Sequence, residues 1–244
     1  MKIPVSMIEI IAFDADDTLW HNETLYSITH EKYEELLSAY HDKKWIRKKL
    51  FETEIRNLRY YGYGIKGFTL SMIETAIELT EGRITGSEIT KILEFSRNML
   101  KAPVEMLDQA AETIKSASKS YSLMLITKGD LFDQESKIAQ SGLSDYFKYI
   151  EILTRKTPET YREILSKYSI KPENFLMVGN SLRSDILPVI EIGGQAVFIP
   201  YPLCWEHERV SDSELNQKSY HELEHIGQLP HLLTKLQPQV SSTS

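Results

Sequence analysis

The sequence predicts an α/β protein with a doubly wound parallel sheet and an inserted helical domain. Four short apolar runs, each followed by polar or turn-forming residues, are typical of strands that are buried on both faces of a parallel sheet. Helical patterns separate the later runs, and strands that alternate with helices form doubly wound sheets. A long helical stretch after the first run interrupts this alternation and indicates the insertion.

The predicted core elements follow from these patterns. The strands cover residues 8–13, 123–126, 175–178 and 196–199. The helices cover residues 106–118, 132–141, 158–168 and 184–192, with a turn and short helix over 226–236. Thr157 and Pro158 mark the start of the third helix, because Thr caps a helix N-terminus and Pro suits its first position. Ligands of such sheets bind at the carboxyl ends of the strands.

The inserted domain is predicted to cover residues 20–103, which leaves residues 1–19 and 104–244 for the core. Its apolar residues recur at helical spacing, as in Leu70, Ile73 and Ile77. Two glycines within residues 60–64 predict a loop inside it. The chain has 244 residues, which is enough for one large core with a sizeable insertion.

The composition excludes several classes of protein. The chain carries 28 Lys and Arg against 35 Asp and Glu, a formal net charge of −7, so we expect no nucleic-acid partner. No apolar run approaches the ~20 residues that span a bilayer, and the N-terminus lacks the apolar segment of a secretion signal. The single cysteine, Cys204, excludes an internal disulfide. We expect a cytoplasmic protein without a membrane partner, either a monomer or a homodimer.

An acidic turn after the first predicted strand is the strongest chemical signal in the chain. Asp14, Asp16 and Asp17 follow the apolar run within four residues. In a strand-to-turn geometry, Asp14 and Asp16 can point toward the same site. Carboxylates a few Å apart repel each other unless a cation lies between them, and Mg²⁺ prefers oxygen ligands. The turn therefore predicts a Mg²⁺ site.

This turn resembles the first motif of the haloacid dehalogenase superfamily, in which Asp-x-Asp-x-Thr follows an apolar strand. Counterparts of three further motifs of that family follow in the same order: Thr127, Lys156 and residues 179–185. The resemblance spans residues 8–193 and implies a Rossmann-like core, with the insertion as a type 1 helical cap. It also implies a Mg²⁺-dependent phosphatase that acts on a small phosphorylated metabolite.

The resemblance implies a role for each catalytic residue. Asp14 would attack phosphorus and form an aspartyl-phosphate. Asp16 would protonate the leaving alcohol and then accept a proton from water. The dehalogenases of the family lack an acid at this position, so Asp16 favours phosphate over halide chemistry. Thr127 and Lys156 would bind the non-bridging phosphate oxygens.

The implied Mg²⁺ ligands are Asp14, the carbonyl group of Asp16, and Asn180 or Asp185. The family pattern has Asp where this chain has Asn180, so Asp185 is the only acid of the fourth motif. An amide oxygen can bind Mg²⁺, but it brings no charge. This departure leaves open an alternative, a weakened relative that binds a phosphorylated ligand without hydrolysing it.

Residues at the start of the insertion and within it are the candidates for substrate recognition. Type 1 caps close over the active site and supply substrate contacts, as lids generally do. The candidates are Trp20 and His21 at the entrance, and Arg56, Arg59 and Lys66 within the cap. The alternative interpretation of the three basic residues is a solvated helix face, and for any one of them we favour that alternative. A cap of this size favours a small soluble metabolite over a phosphoprotein as substrate.

A competing motif lies near the C-terminus. His221, Glu222 and His225 satisfy the pattern H-E-x-x-H, in which two histidines one helical turn apart bind zinc and the Glu is the base of a protease. Only 19 residues follow His225, and Pro230 interrupts the pattern of a continued site. We therefore favour the phosphatase interpretation and keep zinc proteolysis as an alternative.

Overall fold

The structure is a computed structural model that describes residues 8–215 and 218–236. The chain divides into two units, which we call the core unit and the helical unit. The core unit comprises Met1–His21, Glu105–Thr127 and Ser141–Ser244, and the helical unit comprises Asn22–Val104 and Lys128–Gln140. The sequence-based prediction for the insertion is residues 20–103, and the first segment of the helical unit is Asn22–Val104. Residues 128–140, which the sequence assigns to the core, group with the helical unit instead.

Contacts of the segment 128–140 explain this grouping. Asp130 forms an ion pair with Lys66, with an N–O distance of 3.0 Å. The Lys128 ammonium lies 4.4 Å from the centre of the Tyr63 ring. Hydrophobic periodicity predicts that a helix covers residues 132–141, but it does not reveal the surface against which that helix packs.

The core unit contains a six-stranded sheet. In chain order its strands are β1 (Ile10–Phe13), β2 (Ser122–Lys128), β3 (Tyr149–Leu153), β4 (Phe175–Gly179), β5 (Gln195–Phe198) and β6 (His221–Glu222). The order across the sheet is β3-β2-β1-β4-β5-β6, and β1 pairs in parallel with both β2 and β4. The predicted doubly wound α/β class is confirmed. The strand order reverses between β1 and β4, the place where ligands bind in such sheets.

The α-helices have the following bounds: α1 (Glu23–Leu37), α2 (Lys43–Tyr61), α3 (Ile65–Leu79), α4 (Gly86–Lys101), α5 (Ala110–Ala117), α6 (Leu131–Ser141), α7 (Pro158–Lys167), α8 (Leu187–Glu191), α9 (Asp212–Leu215) and α10 (Leu229–Leu236). Helices α1 to α4 belong to the insertion. Within residues 8–215 and 218–236, we find no helix with the length and apolar character needed to cross a membrane.

Two strands and the start of the first predicted core helix differ from the sequence-based prediction. Strand β3 lies at an edge of the sheet and is only partly buried, while β6 has two residues, so neither presents a continuous apolar run. The helix predicted from residue 106 begins only at Ala110. Met106 is extended instead, because it forms an antiparallel bridge with Trp20.

The centre of the sheet is buried on both faces. Every residue of β1 and of β4 is buried. Ile10 and Ala12 of β1 join an apolar cluster with Tyr161 and Ile164 of α7. Burial of a large apolar side chain is worth about 1.5–3 kcal/mol, so the packing holds the ends of these two strands in place.

The insertion has an apolar cluster of its own, formed by α1 to α4. The Tyr33 ring is buried in this cluster, and its hydroxyl group donates a 2.8 Å hydrogen bond to the carbonyl oxygen of Met72. Leu70 and Ile77, which belong to the predicted helical spacing, are exposed. Helix α3 turns its other face, with Phe68 and Met72, toward the cluster.

The loop predicted over residues 60–64 is shorter than expected. Helix α2 continues through Tyr61 and ends at Gly62, whose N–H group donates to the carbonyl oxygen of Leu58. Gly62 has a φ of 69°. Glycine adopts this conformation readily because it lacks a Cβ atom, and the helix therefore stops there.

We predict that replacement of Thr85 by Ala destabilises the insertion. The Thr85 hydroxyl accepts a bond from the N–H group of Glu88, and the Glu88 carboxylate accepts from the N–H group of Thr85, which forms a capping box at the start of α4. Loss of such a cap costs about 1 kcal/mol of the free energy of unfolding. Urea denaturation measures the change. Thr90→Ala is the matched control, since the Thr90 hydroxyl bonds only within the helix; an equal loss in both variants contradicts the prediction.

Candidate active site

The carboxyl ends of β1 and β4 bring two polar residues together. Asp14 follows β1 directly, and Asn180 follows β4. Phe13 is paired with Val178 across the two strands, and the Asp14 N–H group donates a 2.9 Å bond to the Val178 carbonyl oxygen. The two side chains therefore lie at the same edge of the sheet, where the strand order reverses.

A buried lysine connects two carboxylates at this edge. The Lys156 ammonium lies 2.5 Å from Asp14 Oδ1 and 2.7 Å from Asp185 Oδ1, and only 1% of its side chain is exposed. Lys156 immediately precedes Thr157, the N-cap of α7, so the capped helix start fixes where the lysine leaves the backbone. Charges removed from water need close partners of opposite sign, and the three side chains supply them to one another.

The charges of this cluster shift the protonation equilibria of its members. Burial raises the pKa of the Asp14 carboxyl group; Lys156 opposes the rise, and Asp185 adds to it. Burial lowers the pKa of Lys156, but the charges of Asp14 and Asp185 outweigh this effect and hold that pKa above its usual value. Lys156 is therefore a permanent cation beside Asp14.

The turn after β1 is held by hydrogen bonds within itself. Asp17 has a φ of 61°, and its N–H group donates a 2.7 Å bond to the Trp20 carbonyl oxygen. The Thr18 hydroxyl lies 3.0 Å from Asp14 Oδ2 and 3.3 Å from Asn180 Oδ1. One hydroxyl thus contacts an oxygen atom from each of the two strand ends, which gathers these oxygens around a common point.

The second carboxylate of the turn has a partner that the sequence analysis did not foresee. The indole Nε1–H group of Trp20 donates a 2.7 Å hydrogen bond to Asp16 Oδ1. Asp16 is partly exposed, whereas Trp20 is 1% exposed. The expectation that Trp20 lines an entrance is wrong, because this buried ring faces Asp16.

A close approach of side chain to backbone shapes the loop after β4. Asp185 Oδ2 accepts a 3.0 Å bond from the Ser181 N–H group, so the carboxylate folds back over the loop. A Cβ atom on Gly179 would lie 2.3 Å from Asp185 Oδ2, which only a glycine avoids. Asp185 lies in a π-helical turn, Leu182–Ile186, where the sequence predicts the start of an ordinary helix.

Glu208 anchors the same loop and was missed by the sequence analysis. Its Oε2 atom accepts hydrogen bonds from the hydroxyl groups of Ser181 at 2.5 Å and Ser184 at 2.6 Å. Glu208 ends a short 3-10 helix, Glu206–Glu208, which lies 24 residues beyond Ser184 in the chain. No motif or periodicity marks that segment, so the sequence contains no signal for this contact.

Of two further candidate site residues, Thr127 is buried within a strand and His21 is exposed. Thr127 lies within β2, which continues to Lys128, and it is buried two residues beyond Leu125, the partner of Phe13. His21 is exposed, and its Nδ1 atom lies 2.7 Å from the Tyr201 hydroxyl oxygen.

The three basic candidates of the insertion make contacts within the helical unit. Arg56 of α2 bonds to two carboxylates of α3, those of Glu74 at 2.8 Å and Glu78 at 3.0 Å. The Arg59 guanidinium lies 4.6 Å from the centre of the neighbouring Tyr60 ring. Lys66 forms the ion pair with Asp130 described above. Arg56 in particular connects α2 to α3 through these two ion pairs. A residue that only faces solvent would not form such a connection.

The zinc-protease alternative lacks the helix on which its motif depends. His221 and Glu222 form strand β6, and His225 has an extended backbone with φ −156° and ψ 158°. The two histidines are therefore not one helical turn apart. The predicted turn and helix after them are present as Ile226–Gln228 and α10. This geometry contradicts the zinc assignment.

The oxygen atoms at the ends of β1 and β4 fit a hard divalent cation. In the described part of the chain, no cluster of three or more His, Cys, Asp and Glu side chains is arranged to hold a metal ion. A cation here would instead combine the Asp14 carboxylate with the Asn180 amide oxygen and backbone carbonyl groups. Mg²⁺ accepts such a mixed set of oxygen ligands and keeps several waters.

Comparison with known families agrees with these features. A model of the haloacid dehalogenase-like hydrolases matches residues 8–193. The crystal structure of a haloacid dehalogenase-like family hydrolase from Xanthomonas campestris is 42% identical, covers 94% of this chain and 91% of its own, and superposes with a TM-score of 0.84.

Two characterised phosphatases are also similar in sequence. Glyceraldehyde 3-phosphate phosphatase from Pyrococcus furiosus is 27% identical over 134 residues, which cover 53% of each chain, so this match spans about half of the archaeal enzyme. The 5-amino-6-(5-phospho-D-ribitylamino)uracil phosphatase of Escherichia coli is 21% identical over 80% of this chain and 85% of its own.

We predict that Gly179→Ala lowers the stability of the core unit. The new Cβ atom must displace the Asp185 carboxylate and its bond to Ser181, and overpacking of this kind costs about 1–3 kcal/mol. Urea denaturation measures the loss. Gly86→Ala is the control, because a Cβ atom on Gly86 meets no atom within 4 Å. Equal stability of the Gly179 variant and the wild type would show that the carboxylate does not need this position.

Proposed function

The chain belongs to the haloacid dehalogenase-like hydrolase family, and we propose that it is a phosphatase that hydrolyses phosphomonoesters of small metabolites. One observation carries the proposal. Asp14 and Asp16 stand on one turn at the carboxyl end of β1, and a buried lysine holds Asp14. Two-step phosphoryl transfer needs these groups: a carboxylate nucleophile and a separate carboxyl group for proton transfer.

The mechanism follows from the positions of the two acids. In the first step Asp14 forms a bond to phosphorus, the bond from phosphorus to the alcohol oxygen breaks, and Asp16 gives its proton to that oxygen. In the second step water attacks the phosphorus of the aspartyl-phosphate, and Asp16 takes a proton from the water. Inorganic phosphate leaves, and both acids return to their starting states.

Lys156 and Thr127 bind the non-bridging oxygens of the phosphoryl group in this proposal. Lys156 is already within bonding distance of Asp14, so it can neutralise charge on the nucleophile and on the phosphoryl group together. Phosphoryl transfer depends chiefly on such positioning and charge neutralisation. Removal of this buried cation would leave two carboxylates facing an anionic substrate.

Mg²⁺ would be held by oxygen atoms of Asp14, Asp16 and Asn180, with Asp16 contributing its backbone carbonyl group. The bound ion supplies positive charge, which offsets the repulsion between the carboxylates and the phosphate. Asp185 already accepts bonds from Lys156 and the Ser181 N–H group. We therefore assign Asn180 as the direct ligand of the fourth motif and Asp185 as the residue that holds Lys156.

The substrate class rests on the relatives and on the acid at position 16. The names of the two similar phosphatases describe phosphate esters of small molecules. We infer that this chain likewise acts on a small soluble phosphorylated metabolite in the cytoplasm. A second candidate function, binding of a phosphorylated ligand without hydrolysis, is favoured by one observation, the neutral Asn180 in place of a carboxylate.

A panel of phosphate esters tests the proposal. We expect Mg²⁺-dependent release of inorganic phosphate from at least one sugar phosphate, nucleotide or phospho-acid. Asp14→Asn removes the nucleophile, so it should abolish release while circular dichroism shows an intact fold. Saturable binding of the esters without phosphate release would support the second candidate function. If the esters are neither bound nor hydrolysed, both candidate functions are rejected.

We predict that Asn180→Asp tightens the binding of Mg²⁺. The substitution adds a negative charge beside the proposed ion, so activity should reach half its maximum at a lower Mg²⁺ concentration, and calorimetry should show a lower Kd. His221→Ala combined with His225→Ala is the control and should leave both quantities unchanged. A Kd that stays the same or rises in the Asn180 variant would show that this side chain does not touch the ion.

A further inference from the structure

Trp20 is a buried aromatic residue that reaches the proton-transfer carboxylate of the proposed phosphatase. Its Nε1–H group donates to Asp16 Oδ1 at 2.7 Å, and 1% of the residue is exposed. A buried indole N–H group needs an acceptor, but packing does not require that this acceptor be a carboxylate of the acidic turn. The indole instead directs its single polar group at one of the two oxygen atoms of Asp16.

The backbone around Trp20 is held from both sides, and burial of the ring limits the directions that the indole can take. The Trp20 carbonyl oxygen accepts a bond from the Asp17 N–H group at 2.7 Å, within the turn itself. On the other side, Trp20 forms an antiparallel bridge with Met106. The flanking Leu19 carbonyl oxygen accepts a 2.9 Å bond from the Leu107 N–H group. The ring therefore has little freedom to leave Asp16.

We propose that Trp20 is a positioning residue that selects which oxygen atom of Asp16 carries the proton. The proposal rests on the proposed phosphatase function. An indole N–H group can donate a hydrogen bond but cannot accept one. Asp16 Oδ1 must therefore act as an acceptor, and the proton of a protonated Asp16 resides on Oδ2. Trp20 thus holds the carboxyl group in one orientation, with Oδ2 as its reactive atom.

This arrangement assigns both proton transfers to a single atom. As the bond between phosphorus and the alcohol oxygen breaks, the proton on Asp16 Oδ2 moves to the alcohol oxygen. As water attacks the aspartyl-phosphate of Asp14, a proton from the water returns to Oδ2. Without the indole donor, Trp20 no longer distinguishes the two oxygens of Asp16, and part of the proton population resides on Oδ1.

The leaving group of the substrate distinguishes positioning from simple packing. An alkyl phosphate releases a basic alkoxide and needs the proton, whereas p-nitrophenyl phosphate releases a weakly basic phenolate and needs it much less. The value of kcat/KM reports only the steps up to the first irreversible one, which is phosphorylation of Asp14. A packing defect lowers kcat/KM for both substrates in the same proportion, whereas a misplaced acid lowers it mainly for the alkyl ester.

The test compares Trp20→Phe with the wild type on p-nitrophenyl phosphate and on the best alkyl phosphate of the panel. We expect kcat/KM to fall ~10–100-fold for the alkyl ester, part of the ~10²–10⁴-fold contribution of general acid catalysis, and only a few-fold for the aryl ester. Asp16→Asn should show the same selectivity to a larger degree. Phe175→Leu, a change at a buried aromatic residue of β4, is the packing control and should not alter the ratio between the substrates.

The possible outcomes distinguish failure of the positioning role of Trp20 from failure of the proposed phosphatase function. Equal losses on both esters, or no loss on either, overturn the positioning role while the wild type remains an active phosphatase. A wild type that hydrolyses neither ester overturns the proposed function and this proposal with it. If Trp20→Phe does not fold, incorporation of the benzothienyl analogue of tryptophan at position 20 keeps both rings and replaces the N–H group by sulfur. The same selectivity is expected of that variant, and its absence overturns the proposal.

Discussion

The Lys156 ammonium group between two carboxylates is the interaction on which the rest of the site depends. Asp14 and Asp185 are buried with it, so bulk water contributes little to the stabilisation of the three charges. Removal of one partner from a buried ion pair generally costs about 3–5 kcal/mol, because the remaining charge is left uncompensated. The ends of β1 and β4 and the start of α7 must therefore remain in register. The same ion cluster therefore restricts both the packing of these elements and the arrangement of the charged side chains at the candidate site.

The loop after β4 satisfies this constraint through contacts of two kinds. Gly179 leaves space for the Asp185 carboxylate to lie against the backbone, and Ser181 donates its N–H group to that carboxylate. Glu208 then ties the hydroxyl groups of Ser181 and Ser184 together from a distant segment. Asp185 is thereby directed at Lys156, while the neutral Asn180 oxygen lies 3.3 Å from the Thr18 hydroxyl, which also contacts Asp14. The charged and the neutral residue of this loop therefore have different partners.

Replacement of a carboxylate by Asn180 also changes the charge balance of the site. The ion cluster has two negative side chains and one positive one, and a further carboxylate would add to the repulsion that an anionic phosphate meets. A neutral residue at position 180 avoids that added repulsion and at the same time would attract a cation less. Asp16 accepts a hydrogen bond from the indole of Trp20, whereas Asp14 is paired with the lysine. The two carboxylates of the turn after β1 therefore have different partners.

The sequence by itself determined the parallel α/β core and the place of the acidic turn at a strand end, because buried strands are continuous apolar runs and parallel strands share one carboxyl edge. The tertiary structure alone decided that Lys156 bridges two carboxylates, that the Trp20 ring faces Asp16, and that Glu208 anchors a loop far from it in sequence. It also placed the residues of the H-E-x-x-H pattern on a strand and an extended segment. Periodicity and spacing report local conformation. Which side chain faces which depends on packing between distant segments, and a single sequence carries no direct record of that packing.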